Sequence, residues 1–377
     1  MAKVLNIDLD GNRKELNVSL QKAVQSANLN FLIGSGCSFP VIQTLGNIEQ
    51  DIQKFYEQNN DDEAEQKLFK YLKPFLESCQ QVIEDSDDDK HKKTLTGYQD
   101  FLAAISLLLF ERKSTILLKQ AAIFTTNYDL FFEKASESFA GRLKLNDGFD
   151  RNPVLSNEFT FSTSEFFNAT YNHGNLYNYH VEIPSINLLK LHGSLTWMRQ
   201  TDQITFSVNH LQTALEEYRA IDATTEDQTE IKRKFNKQFP IVLPTKEKFK
   251  DTLLNQTYYD LLRIFSNELD KENTLLIAEG FSFEDEHIFD VTKRALRNPT
   301  LKLIVFCYDQ KKELEGYKNK FSTYNNVDIV CSDSDLGFTQ FVKIIADVLP
   351  QEPVNEKDET KEASEDDPET QKDVADE

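Results

Sequence analysis

The chain has 377 residues, of which 39% are hydrophobic and 11% aromatic, so it can bury a large core and is not an intrinsically disordered protein. Its formal net charge is -21, and no run of Lys or Arg offers a surface for a phosphate backbone, which argues against nucleic acid as a direct ligand. No apolar run approaches the ~20 residues of a membrane-spanning helix, and the N-terminus has no secretion signal, so a cytoplasmic protein is expected.

Short apolar runs recur along the chain, and each ends in a turn. In chain order they are NFLIGSG, AAIFTTNYD, INLLKLHGS, NTLLIAEGFS, LKLIVFCYD and VDIVCSD. Continuous Val, Ile and Leu residues are typical of strands that are buried on both faces of a parallel sheet. The sequence therefore predicts an α/β fold, with a doubly wound, Rossmann-like parallel sheet as the core of one domain over residues 1–350.

Long insertions separate these runs, at about 45–115, 145–185 and 200–240. Apolar spacing in the first insertion suits amphipathic or buried helices, and we expect the insertions together to form a mainly helical subdomain beside the sheet. The segment 351–377 lacks aromatic residues and carries 12 acidic residues against 3 lysines, a net charge of -9. Such a segment cannot bury enough apolar surface to order itself, so a disordered acidic tail is predicted.

Polar residues follow four of the predicted strands. Ligands of doubly wound sheets bind at the carboxyl ends of the strands, so these residues are the candidates for a binding site. They are Gly34-Ser35-Gly36, Thr125-Thr126-Asn127-Tyr128-Asp129, His192-Gly193-Ser194 and Gly280-Phe281-Ser282.

The turn Gly34-Ser35-Gly36 would let backbone N–H groups approach an oxyanion, aided by the dipole of a helix expected to follow it. The third glycine of the dinucleotide fingerprint is missing, because Cys37-Ser38-Phe39 stands where it would come. An ordinary tight turn is therefore an alternative to a phosphate site.

Asn127 places an amide, which can both donate and accept hydrogen bonds, at the functional edge of the sheet. The structural alternative is a helix start, in which Thr126 or Asn127 serves as the N-cap and Asp129 lies in the first turn.

His192 follows a predicted buried strand, where it could act as a base near neutral pH or be a purely structural histidine. His173 also precedes a glycine, but no predicted strand leads into it. His287 could bind a metal together with Glu284 and Glu286, whereas a helix-capping box from Ser282 to Asp285 explains the same stretch without one. No metal site is predicted, because the cysteines form no C-x-x-C pair; they are Cys37, Cys79, Cys307 and Cys331.

Taken in order, the motifs Gly-x-Gly-x-Ser, Thr-x-Asn-x-Asp, His-Gly and Gly-x-Ser resemble those of the sirtuin family, which read G-A-G-x-S, T-Q-N-x-D, H-G and G-T-S. The resemblance covers about residues 28–335. Two departures weaken a deacylase assignment: the chain cannot build the four-cysteine zinc module of sirtuin deacylases, and Thr126 replaces the usual Gln. The stretches TTNYD, LHGSLTW, PTKEKF and GFSFEDEHI look instead like the sirtuin-like domains of bacterial anti-phage systems, which hydrolyse NAD.

That resemblance implies a role for each matching residue. Asn127 would orient the attacking water or the hydroxyls of the nicotinamide ribose, and His192 would act as the base. Thr126 and Asp129 would complete the NAD site, with Asp129 either positioning Asn127 or serving only as an acid in the first helical turn. The pyrophosphate and its ribose would be lined by Gly34, Ser35, Gly36 and Ser38, and the adenosine half by Gly280, Phe281 and Ser282.

The resemblance therefore implies an NAD glycohydrolase that needs no metal and depletes NAD in anti-phage defence. It also implies a homo-oligomer that works with a partner, such as a HerA-type ATPase or a short Argonaute. The alternatives are a module that senses NAD or ADP-ribose through a partner without turnover, and a protein deacylase or ADP-ribosyltransferase.

Overall fold

The fold is taken from a computed structural model of the chain. The structure describes residues 1–42, 52, 54–56, 58, 60–114, 116–139, 141–151, 158–173, 180–200, 203–224, 228–241 and 252–348. The predicted acidic tail 351–377 and the PTKEKF stretch lie outside these residues.

Strands and helices alternate along much of the chain. The strands are β1 (Lys3–Asn6), β2 (Asn28–Ile33), β3 (Gln120–Thr125), β4 (Lys144–Asn146), β5 (Phe159–Thr160), β6 (Thr170–His173), β7 (His180–Ile183), β8 (Ser185–Lys190), β9 (Trp197–Gln200), β10 (Gln203–Phe206), β11 (Thr274–Glu279), β12 (Leu301–Phe306) and β13 (Val327–Cys331). The α-helices within the described residues are α1 (Asn12–Ser26), α2 (Asp61–Ile83), α3 (Asp89–Phe110), α4 (Phe131–Ser136), α5 (Val208–Asp222), α6 (Thr229–Lys237), α7 (Thr252–Asp270), α8 (Glu286–Ala295), α9 (Gln310–Phe321) and α10 (Phe338–Ala346).

Within the described residues, eight strands form one sheet in the order β1-β13-β12-β11-β2-β3-β8-β4. Every neighbouring pair in this sheet is parallel. All six predicted strands are present, which confirms the doubly wound α/β fold. The sequence reading missed β1 and β4, whose four and three residues are too short to stand out as apolar runs.

The sheet reverses its winding at β2. The chain runs from β2 outward through β3 to β8, then crosses over to β11 on the other side of β2 and continues through β12 to β13. The loops after β2 and β11 therefore diverge at a topological switch point, where open α/β sheets bind their ligands.

Both faces of the sheet are covered by helices. One core contains Phe31 and Ile277 from the strands, together with apolar residues of α1, α2, α3, α4 and α10. The other contains Phe124 and Val305, together with apolar residues of α7, α8 and α9. Burial on both faces is the reason that the strands read as continuous apolar runs.

The insertions are only partly helical. Helix α2 packs against α5 and α6, where the ring of Phe69 stacks on Tyr218 at 4.2 Å between centroids and meets Phe235 at 5.4 Å. Among its described residues, the insertion 145–185 contains short strands and one 3₁₀ turn (Thr163–Glu165) instead of the expected α-helices. None of the described helices is long and apolar enough to cross a membrane.

Candidate active site

Two loops carry the predicted catalytic residues side by side at the carboxyl edge of the sheet. Strands β3 and β8 are parallel neighbours, and Thr125 of β3 lies in register with Lys190 of β8. Asn127 and His192 each follow this register pair by two residues. The topology thus places on neighbouring loops two residues that lie far apart in the sequence.

The predicted phosphate turn folds differently from the expectation. Residues Ser35–Ser38 form a 3₁₀ helix of four residues, so the dipole of an α-helix starting at this turn is not available. The Gly34 N–H donates to the Glu279 carbonyl at 3.0 Å, and the Gly36 N–H donates to the Gly280 carbonyl at 3.1 Å. These two donors therefore tie the β2 loop to the β11 loop.

The glycines of these two loops are required by the contact between them. A Cβ atom at Gly34 would lie 2.2 Å from the Gly280 carbonyl oxygen, and one at Gly36 would lie 2.8 Å from the Gly280 Cα. Gly280 itself has a φ of 63°, a left-handed conformation that side chains disfavour. Close packing of backbone on backbone accounts for all three glycines without a bound phosphate.

Asn127 is held in a single orientation. Its Nδ2 donates to the Gly34 carbonyl at 3.1 Å and to Ser38 Oγ at 3.2 Å, which uses both amide hydrogens. The residue is 6% exposed, and its Oδ1 is buried with no hydrogen-bond partner among the described residues. A buried acceptor left open in this way is suited to a hydroxyl group or a water molecule of the reaction.

Ser38 supports Asn127 from inside the protein. Its hydroxyl donates to Asp129 Oδ2 at 2.6 Å and accepts from Asn127 Nδ2 and, at 2.7 Å, from the Tyr98 hydroxyl. A serine hydroxyl has one hydrogen and two lone pairs, so its capacity is filled, and the side chain is fully buried. Ser38 is therefore arranged to hold Asn127, whereas the resemblance implied that it contacts the pyrophosphate.

Burial shapes the ionisation of this cluster. It raises the pKa of Asp129, against the opposing effects of Lys190 and the Ser38 hydrogen bond. Burial likewise raises the pKa of Tyr98 well above its usual value, so this phenol keeps its proton and donates to Ser38. Tyr98 was missed in the sequence because a buried tyrosine on α3 has the same helical spacing as any core residue.

The expected helix caps were wrong. Helix α4 begins at Phe131, so Thr126 and Asn127 lie in the loop before it, and Thr126 is partly exposed there. Asp129 Oδ1 accepts the Phe131 N–H at 3.2 Å, while its other oxygen binds Ser38. Asp129 thus supports the helix start and, through Ser38, the position of Asn127.

His192 lies beside a carboxylate that the sequence predicts only as part of a capping box. The residue is 4% exposed, and its Nε2 lies 3.0 Å from Asp285 Oδ2. The other oxygen, Asp285 Oδ1, accepts the backbone N–H groups of His287 and Ile288 at 3.0 Å, so Asp285 and not Ser282 is the N-cap of α8. A carboxylate that is fixed by a helix start therefore lies beside the imidazole as a nearby charge.

His173, the competing histidine, lies elsewhere. It ends β6, contrary to the expectation that no strand leads into it, but among the described strands β6 pairs with β7 alone, in a two-stranded ribbon. Its ring packs on His180 with 4.3 Å between centroids, and both residues are exposed. His173 is therefore separate from the edge of the main sheet that carries Asn127.

Two side chains of α9 bind the backbone carbonyls of the loop after β11. The Phe281 carbonyl accepts the Tyr317 hydroxyl at 3.1 Å, and the Ser282 carbonyl accepts Lys320 Nζ at 2.8 Å. Phe281 is buried, whereas the Ser282 side chain is exposed beside the loop and open to a ligand.

A cleft of about 340 Å³ opens beside Gly36 and Cys37 and is also lined by residues of α3 and of the segments after β12 and β13. Neither Asn127 nor His192 lines it, so the cleft adjoins only the β2-loop end of the site. It has room for part of a dinucleotide.

The profile of the SIR2-like domain matches residues 121–329, more than half of the chain. The chain belongs to the SIR2-like domain family. Among solved structures, the sirtuin Sir2Tm bound to a propionylated peptide is similar at 14% sequence identity, with a TM-score of 0.43 over 88% of this chain and 95% of that one. No curated protein matches the sequence.

SIR2-like domains are NAD-dependent enzymes, either deacylases or NAD hydrolases, so membership supports NAD-dependent activity of the sirtuin kind. The matched residues include Asn127 and His192 but not the β2 loop. No group of metal-ligating side chains occurs among the residues described for this SIR2-like domain.

Glu279 is a buried acid in the SIR2-like domain that sequence reasoning passed over. It ends β11 beneath the glycine loops, is 4% exposed, and its Oε2 has no hydrogen-bond partner among the described residues. Burial, with a smaller effect of Glu313, raises its pKa well above the ordinary value. A single acid in the otherwise apolar run LLIAEG was a signal that could have singled it out.

Replacing Glu279 by Gln should therefore stabilise the protein, and more so at higher pH. A carboxyl whose pKa is raised on folding binds its proton more tightly in the folded state, so its contribution to the free energy of unfolding falls as pH rises above about 4.3. The difference in the free energy of unfolding between variant and wild type should widen by up to about 1.4 kcal/mol per pH unit. Urea titrations at pH 5, 6.5 and 8 measure it. Glu268→Gln is the control, because the Glu268 carboxylate pairs with Lys271 at 2.6 Å. The same difference in the free energy of unfolding at every pH would contradict a raised pKa for Glu279.

Proposed function

We propose that this SIR2-like domain is an NAD glycohydrolase that cleaves NAD to nicotinamide and ADP-ribose. The observation that carries the proposal is the buried, open Oδ1 of Asn127, held beside the loop of His192. A hydrolysis reaction must position one water molecule, and an oriented hydrogen-bond acceptor together with a base can do so.

Cleavage of the bond between nicotinamide and ribose requires few other groups from the protein. As the bond between the ribose C1′ and the pyridinium nitrogen breaks, its electron pair neutralises that nitrogen, so nicotinamide leaves without a general acid. A water oxygen forms the new bond to C1′, and its proton passes toward His192. Asn127 Oδ1 would accept a hydrogen bond from this water or from a ribose hydroxyl, which lowers the barrier by orienting the reactants.

The products formed from NAD by the purified chain test this proposal. We expect nicotinamide and ADP-ribose in equal amounts, without any protein or peptide acceptor. Binding of NAD without products would instead indicate a sensing module. Turnover only in the presence of an acylated peptide or an ADP-ribose acceptor would indicate a deacylase or an ADP-ribosyltransferase.

Asp285 should contribute to the reaction through His192. Replacing Asp285 by Asn keeps a good helix cap but removes the charge beside the imidazole, and kcat/KM should fall about 10- to 100-fold.

Asp309 provides a matched control for this variant. It caps α9 through the same kind of carboxylate contact, with its Oδ1 accepting the Lys311 and Lys312 N–H groups. Asp309→Asn should leave kcat/KM for NAD cleavage unchanged. Equal and small effects of both substitutions would mean that Asp285 is only a cap.

We also propose that the enzyme acts in anti-phage defence by depleting NAD, as a homo-oligomer controlled by a partner such as a HerA-type ATPase. Support comes from the motif resemblance, and from the harm that an unrestrained NAD hydrolase would do to its own cell. NAD consumption should be low in the isolated protein and rise on addition of the partner. Full turnover by a dilute monomer, unchanged by the partner, would contradict this part of the proposal.

A further inference from the structure

Lys190 is a buried lysine at the junction of the two loops that carry Asn127 and His192. It is the last residue of β8 and is 3% exposed. An ammonium group removed from water is costly unless each of its hydrogens finds an acceptor. The acceptors around its ammonium group therefore indicate which segments Lys190 connects.

The three hydrogens of the ammonium group are matched by three acceptors on different segments. Lys190 Nζ contacts the backbone carbonyl of Asp129 in the loop after β3. It lies 3.2 Å from Ser194 Oγ in its own loop and 2.6 Å from Glu133 Oε1 on α4. One side chain thus ties both catalytic loops to the helix that follows the first of them.

Ser194 strengthens the same junction. Its hydroxyl donates to the Tyr128 carbonyl at 3.3 Å, so the loop after β8 also reaches the residue next to Asn127. Both Ser194 and Glu133 are largely shielded from solvent. In such an environment the ion pair is only weakly screened and fixes the geometry of the loops.

We propose that Lys190 is a positioning residue, which through Glu133, Ser194 and the Asp129 carbonyl sets the placement of Asn127 relative to His192. The inference rests on the proposed NAD hydrolysis and deepens it. Lys190 touches neither predicted catalytic side chain in the described contacts, and its effect is on their spacing. A displacement of about 1 Å between reacting groups can cost about 100-fold in rate.

The test compares Lys190→Met with the double variant Lys190→Met/Glu133→Gln. The single change leaves the Glu133 carboxylate buried without its cation, and the second change removes that charge, so the double variant should recover thermal stability. We expect kcat for NAD cleavage to remain about 10- to 100-fold below wild type in both variants. The Kd for NAD, measured by calorimetry, should change by less than about threefold.

Lys302→Met is the control, because Lys302 joins two strands of the same sheet through an ion pair with Asp328 at 2.6 Å, away from the catalytic loops. It should lower stability without lowering kcat. A return of kcat together with stability in the double variant would overturn the proposal and reduce Lys190 to a structural role. Absence of NAD turnover in the wild-type protein would refute the proposed function itself, and the positioning role with it.

Discussion

Replacing Asn127 by Ala should lower NAD cleavage by about 100-fold or more while the protein stays folded. The substitution removes the buried Oδ1 that is open to the reaction, and it also releases Ser38 Oγ and the Gly34 carbonyl from the amide. The loss should appear mainly in kcat, because the interaction is expected to be stronger in the transition state than with bound NAD.

Asn187→Ala is a matched control for this experiment. Asn187 is also a buried asparagine, but it lies within β8, away from the carboxyl ends of the strands. Its Oδ1 accepts the Phe167 N–H at 2.8 Å. It should lower the melting temperature and leave kcat of the remaining folded protein close to wild type. Wild-type turnover by Asn127→Ala would remove this residue from the active site.

Replacing His192 by Ala should also reduce NAD cleavage by about 100-fold or more, because the base that takes the proton of water is lost. His173→Ala should have no such effect, since that side chain lies on the β6–β7 ribbon. Steady-state rates and circular dichroism of both variants check the prediction. If His173→Ala abolished turnover in a folded protein and His192→Ala did not, the assignment of the base would be wrong.

The sheet and the edge at which the candidate loops lie could be predicted because both follow from local features. Strands buried on both faces must be continuously apolar, and parallel strands must end at one edge. The sequence therefore sufficed to place Asn127 and His192 at the same edge of the sheet, and the strand order then makes their two loops neighbours. It could not give the orientation of either side chain.

The supporting residues were harder to find, because they are distant in the chain and ordinary in type. Tyr98 contacts Ser38 across 60 positions, and nothing in its helix distinguishes it from a core residue. Asp285 sits in a stretch that a helix cap explains completely. Lys190 did leave a signal, a charge inside the apolar run INLLKLHG, but its partners come from a different loop and helix.

The strand order also has a consequence for attempts to trim the protein. Strand β2 lies between β11 and β3, so the centre of the sheet is supplied by a segment outside the stretch 121–329 that matches the family. A fragment cut to those boundaries would leave a gap where β2 belongs and would expose two unpaired backbone edges in the middle of the sheet. Open edges of this kind recruit strands from other molecules, so such a fragment is expected to aggregate, and shortened versions need to retain β2.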